Sequence, residues 1–163
     1  MLIVLAGLPG VGKSTLARAL ALRLGAQWLR IDSIEQAMAD ATGRAVCGDE
    51  GYRVAQAVAL DNLRLGRVVV ADSVNPLEIS RDQWRAVAER AGCRMLDVEV
   101  VCSDVAEHRR RVEQRVIDVP GLRPPTWEQV QARRYDPWLT PPLVIDTARV
   151  DVEGGVARII AAL

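Results

Sequence analysis

Residues 7–14 read Gly-Leu-Pro-Gly-Val-Gly-Lys-Ser, and Lys13 within them is the only lysine of the chain; every other cationic side chain is arginine. The spacing G-x-x-x-x-G-K-[ST] is that of a phosphate cradle. Its glycines let the backbone turn N–H groups inward around phosphate oxygens, and a helix starting directly behind adds partial positive charge. Lys13 can then reach terminal phosphates, while Ser14 offers a hydroxyl to Mg²⁺. A compact ammonium on a flexible stem suits this crowded position, where the planar fork of arginine is too wide.

Carboxylates supply the second kind of chemistry. Asp32, Asp72, Asp104 and Asp146 each close a stretch that reads as a strand, and in open α/β sheets ligands bind beyond the carboxyl ends of the strands. Asp72, behind Val-Val-Val-Ala, is placed either beside Mg²⁺ or as a turn cap, since Asp-Ser-Val-Asn-Pro is also good turn chemistry. Asp32 is positioned as the general base for a hydroxyl acceptor. Asp104 reads as a helix N-cap.

Arginine supplies the third. Between residues 109 and 134 stand seven arginines and three acids, a local surplus in a neutral chain. Arg111 and Arg115, at i and i+4, are expected to share a helix face and swing over a phosphoryl group as a catalytic pair. Arg109 and Arg110 read as solvated partners of Glu107 and Glu113. His108 is expected to be exposed, Trp28 and Trp84 to pack in or near the core, and Trp127, Tyr135 and Trp138 to line a substrate or base pocket. The three cysteines lack metal or disulfide spacing and read as small buried side chains.

The elements that must hold these groups alternate. Residues 2–6 form a continuous apolar run suited to a strand buried on both faces. Leu16, Leu20 and Leu24 stripe the helix that follows, and Gly25 stops it. Further strands are expected over 27–31, 67–72, 95–102 and the stretch around Val144. Helices are expected over 33–41, 49–65, 78–91, 104–116, from Thr126 onward and at the C-terminus. Residues 118–125 are too rich in proline and glycine for regular structure. This alternation predicts a mainly parallel α/β sheet of about five strands in one domain over residues 1–163.

Half of the residues are hydrophobic, 26% are charged and the formal net charge is zero, which fits a soluble cytoplasmic protein and argues against a strongly basic nucleic-acid binder. No membrane span or secretory signal is read from the apolar N-terminus.

With these residues placed, the chain resembles the small ATP-dependent kinases of the phosphate-loop superfamily, such as the kinase domain of polynucleotide kinase, chloramphenicol phosphotransferase, gluconokinase, adenylylsulfate kinase and the zeta toxins. The resemblance implies a three-layer α/β/α P-loop fold with strand order 2-3-1-4-5 and a short lid over about residues 112–127. It implies ATP and Mg²⁺ as cofactors, with the nucleotide held by Gly7, Leu8, Pro9, Gly10, Val11, Gly12, Lys13, Ser14, Thr15 and Arg111, and the metal by Ser14 and Asp72. Lys13, Asp32, Arg111 and Arg115 are then catalytic. Asp32, Asp72, Asn75 and Arg81 would bind the acceptor, the last three matching a segment of the polynucleotide kinase branch. The expected activity is transfer of the γ-phosphoryl group to a hydroxyl of a small molecule. A polynucleotide or tRNA 5′-hydroxyl kinase and a nucleotide-binding switch are the alternatives.

Overall fold

The computed structural model describes residues 1–116 and 118–163; Ile117, inside the expected lid, lies outside the described residues. Strand β1 (Leu2–Ala6) is the centre of the molecule. Its five side chains are wholly buried because the chain alternates them between two apolar layers. Ile3 and Leu5 pack with Leu16, Leu20, Val98, Val100, Ile145 and Ile159. Leu2 and Val4 pack on the other face with Ala55, Ala59, Leu63, Trp84 and Val87.

The remaining elements follow in chain order as α1 (Lys13–Leu24), β2 (Gln27–Arg30), α2 (Ile31–Thr42), α3 (Glu50–Arg64), β3 (Val69–Asp72), α4 (Glu78–Ala91), β4 (Met95–Val101), α5 (Val105–Glu113), α6 (Trp127–Gln131), β5 (Leu143–Asp146) and α7 (Val152–Ala161). The five strands are ordered β2-β3-β1-β4-β5, and every pairing is parallel. Helices α1 and α7 cover one face; α3 and α4 cover the other. This is the expected three-layer α/β/α P-loop fold.

Two boundaries differ from the sequence reading in ways that matter. Strand β2 ends at Arg30, whose register partner is Asp72 at the end of β3, and Ile31 already begins α2. Asp32 therefore projects from the first turn of a helix and not from a strand end. Helix α6 is only five residues long. Thr126 caps it through a reciprocal capping box with Gln129, but the chain beyond turns away towards Pro137, which disfavours helix in the residue before it. Of the cysteines, only Cys102 is buried; Cys47 is exposed.

Candidate functional site

Helix α1 starts directly after Gly12, which adopts φ 97°, and its first turn has neither a capping side chain nor an acid. An uncapped N-terminus without local negative charge leaves amide donors for an anion. Gly7, at φ 139°, is the tightest point of the loop, because a Cβ there would overlap the carbonyl of Val100. The loop is thus docked on the sheet where only glycine fits.

Lys13 is 8% exposed, and its Nζ donates to the Leu8 carbonyl at 2.9 Å, so the side chain curls back over the loop. Burial lowers its pKa from the ordinary 10.5 to about 8, partly offset by the charges of Asp72 and Asp32. Asp72 is 3% exposed. Burial pushes its carboxyl upward, against the pull of Lys13 and a hydrogen bond from Ser14.

Oδ2 of Asp72 has no hydrogen-bond partner among the described residues. A buried carboxylate oxygen left open beside a serine hydroxyl fits Mg²⁺, which takes one or two protein oxygens and completes its octahedron with phosphates and water. Among the described residues no group of three His, Cys, Asp or Glu side chains forms an all-protein cage. Ser14 and Asp72 thus present oxygens able to hold this ion.

The loop opens into a cleft of about 1350 Å³, lined by Gly10, Gly12, Lys13, Ser14 and Thr15 together with Asp32, Glu35, Tyr52, Arg115 and Arg133. That volume exceeds what one small ligand fills and leaves room for two. The Asp32 carboxylate faces Arg115, with Nη2 to Oδ2 at 3.7 Å. Glu35 lies one turn further along α2, and burial together with the Asp32 charge raises its pKa. Tyr52 of α3 accepts a hydrogen bond from the Asn75 amide at 3.0 Å.

Several expected residues take other places. Arg111 and Arg115 do not share a helix face, because α5 ends at Glu113 and Gln114 caps it, although both line the cleft. Arg111 is pinned beside Gly12, donating from Nε to Glu107 at 2.7 Å and from Nη1 to the Thr147 hydroxyl at 2.8 Å; Thr147 in turn donates to the Val11 carbonyl at 2.9 Å. These contacts hold its guanidinium beside the loop.

Asn75 and Arg81 are fully buried and do not line the cleft. Arg81 donates to the carbonyls of Asn75, Asp136 and Pro137 and to Glu78. Its guanidinium lies 3.9 Å from the Trp138 ring centroid and 5.1 Å from that of Tyr135. These two aromatics therefore flank a buried arginine and do not line the cleft.

His108, expected at the surface, is buried. Its Nε2 is 2.8 Å from the Pro9 carbonyl, and its ring meets Trp127 edge-on at 5.1 Å, which buttresses the loop from behind. Asp104 caps α5 as expected, accepting from the Glu107 amide at 3.0 Å. Arg109 and Arg110 pair with Glu113 and Glu107. The sequence reading passed over Glu35, Tyr52 and Arg133. Glu35 was findable as i+3 from Asp32, but only once Asp32 is placed on a helix.

The comparisons agree with this architecture. A family model for an AAA domain matches residues 2–136. The fold is similar to that of a candidate kinase from Chloroflexus aurantiacus, at 22% identity and TM-score 0.77, covering 99% of this chain and 97% of that one. It is also similar to the Mycobacterium tuberculosis APS kinase CysC in complex with AMPPNP and APS, at 21% identity and TM-score 0.73, covering 98% and 95%. A gluconokinase from Sinorhizobium meliloti 1021 gives 19% identity and TM-score 0.62, covering 98% and 93%. No curated protein matches the chain.

Proposed function

The chain belongs to the AAA domain family, and from that membership and the residues gathered in the cleft we propose that it is an ATP- and Mg²⁺-dependent phosphotransferase acting on a hydroxyl of a small molecule. The observation that carries this reading is the Asp32 carboxylate, which lies opposite Arg115 in the same cleft as Lys13, Ser14 and Asp72. A hydrolase needs only a positioned water. A carboxylate backed by a cation beside a further polar pocket serves an acceptor alcohol.

In this reading the loop amides and Lys13 bind the β- and γ-phosphates. Ser14 and Asp72 hold Mg²⁺, which when bound neutralises charge on the phosphate oxygens. The acceptor oxygen attacks the γ-phosphorus in line, the bond to the β–γ bridging oxygen breaks, and ADP leaves. The hydroxyl proton passes to Asp32. Arg115 stabilises the charge on the transferring group, and Arg111 steadies the nucleotide from its fixed seat by Gly12. The cation about the reaction centre is completed by Arg133, whose charge is felt by both Lys13 and Glu35.

An APS kinase and a gluconokinase among the fold neighbours support a small acceptor. The polynucleotide alternative is weakened, because Asn75 and Arg81, two of the residues that suggested it, are buried and do not line the cleft, although Asp72 does. The test is label transfer from γ-labelled ATP with Mg²⁺ to a panel of sugars, sugar acids, nucleosides, aminoglycosides and 5′-hydroxyl oligonucleotides. Transfer to a small hydroxyl compound is expected. Release of labelled phosphate with no acceptor labelled would overturn the reading in favour of a switch or hydrolase.

A further inference from the structure

Arg30, the last residue of β2, carries a charge that the reaction described above does not use. Its side chain is 9% exposed and donates to Asp118 through two parallel hydrogen bonds, Nη1 to Oδ2 at 2.7 Å and Nη2 to Oδ1 at 2.9 Å. Its Nε is buried and has no partner among the described residues. The two ends of this pair are unequal: the Asp118 side chain is 64% exposed and belongs to the proline-rich segment between α5 and α6, whereas Arg30 is fixed in the sheet.

An exposed carboxylate loses little by returning to water. A buried guanidinium left without an anion is strongly unfavourable. Asp118 can therefore leave Arg30 readily only if another anion takes its place. The surroundings fit such an exchange. Arg30 sits in a recess of about 370 Å³ with Arg18, Trp28, Ser33 and Asp118, and the Trp28 ring centroid is 5.9 Å from its guanidinium carbon. Arg18, Trp28, Arg30 and Asp118 also line the main cleft, so the recess opens into it. Arg30 neighbours Asp72 in register and precedes Asp32 by two residues, which puts the recess beside the reaction centre.

We infer that Arg30 is an anion subsite for the acceptor, taking a carboxylate, sulfate or phosphate monoester on the hydroxyl compound, and that Asp118 is its intramolecular occupant until the acceptor displaces it. This rests on the phosphotransferase reading and narrows its substrate class. A planar two-oxygen anion matches the fork that Asp118 now fills.

Two experiments test it, the first independent of turnover. Sulfate is titrated calorimetrically into the protein saturated with AMPPNP and Mg²⁺, so that the phosphate loop is filled. Asp118→Asn, which removes the competing charge, is expected to tighten sulfate binding about tenfold over the unsubstituted protein. Arg30→Gln and the double variant Arg30→Gln/Asp118→Asn are expected to lose it. Arg30→Lys, which keeps the charge without the fork, covers the case in which Arg30→Gln fails to fold; sulfate binding should then be weakened. Equal sulfate affinity in Asp118→Asn and the unsubstituted protein, or undiminished binding in the double variant or in Arg30→Lys, would overturn the subsite.

The second experiment compares acceptors that differ by one anionic group, gluconate against glucose and AMP against adenosine. The anionic member of at least one pair is expected to be the better acceptor, with its KM raised about tenfold in Arg30→Gln or Arg30→Lys. Which pair responds separates a carboxylate from a phosphate. A preference for the neutral members overturns the subsite. No transfer to any acceptor overturns the phosphotransferase reading instead, and the sulfate titration still decides the subsite.

Discussion

At the proposed donor end of the cleft most of the lining comes from one short stretch, Pro9, Gly10 and residues 12–15, joined by Asp72 and Arg111. At the acceptor end they are side chains drawn from α2, α3 and the stretches that follow α5 and α6: Asp32, Glu35, Tyr52, Arg115 and Arg133. The donor end is preorganised by local geometry and by Gly7 pressed on β4. The acceptor end exists only when four separate pieces of chain dock. Substitutions should accordingly separate the two: changes at the donor end alter nucleotide binding whatever the acceptor, and changes at the acceptor end alter turnover with nucleotide binding nearly untouched.

Asp32→Asn should produce the largest separation. It is expected to lower kcat of acceptor-dependent transfer by about 10³-fold, with the ATP dissociation constant, measured by calorimetry, moving less than about twofold. Equal loss of both would show that the two ends are one functional unit. Arg81→Leu tests a residue that sequence assigned to the acceptor and the structure places in the interior. Its removal leaves the carbonyls of Asn75, Asp136 and Pro137 without their buried donor, while Glu78 keeps Arg85, so urea denaturation should show a loss of about 3 kcal/mol, with the KM of the folded enzyme for its acceptor unchanged. A raised acceptor KM at full stability would return Arg81 to the acceptor end.

The two arginines once read as a pair should part company. Arg115→Ala is expected to cut kcat by about 10²-fold at nearly constant KM for ATP. Arg111→Ala should raise the KM for ATP about fivefold with a smaller change in kcat. The same profile for both would restore a single mobile pair.

A further effect is in pH and concerns stability alone. The Lys13 pKa in the folded, nucleotide-free protein is lowered from 10.5 to about 8, so between those values the unfolded chain binds more protons than the folded one. Stability should rise with pH across that window, by at most about 1.4 kcal/mol per unit. In Lys13→Met this contribution should vanish, as read by denaturation at pH 8 and pH 10. ATP phosphates favour the charged ammonium, so nucleotide should flatten the same slope.

Much of this molecule was legible before any coordinates. Val-Val-Val-Ala before Asp72, the leucine stripe of α1 and the bounds of α4 over residues 78–91 follow from periodicity and breakers that act within a few residues. The phosphate loop is equally local, because its glycines are demanded by backbone angles and its lysine by reach. Residue type and spacing alone therefore determined a mainly parallel sheet of about five strands and the glycine loop; the layers and strand order came with the family resemblance.

What neighbours each charge was a different matter. Arg81 and Arg115 look alike in sequence, yet one is clamped between Trp138 and Tyr135 and the other faces Asp32. His108 stands among arginines and is nonetheless turned inward to Pro9. Arg30 found its partner 88 residues away. A charged side chain is worth little to local structure and a great deal once buried, so its role is decided by which distant segment supplies the counter-charge. Only the tertiary packing makes that choice, and it is what built the acceptor end.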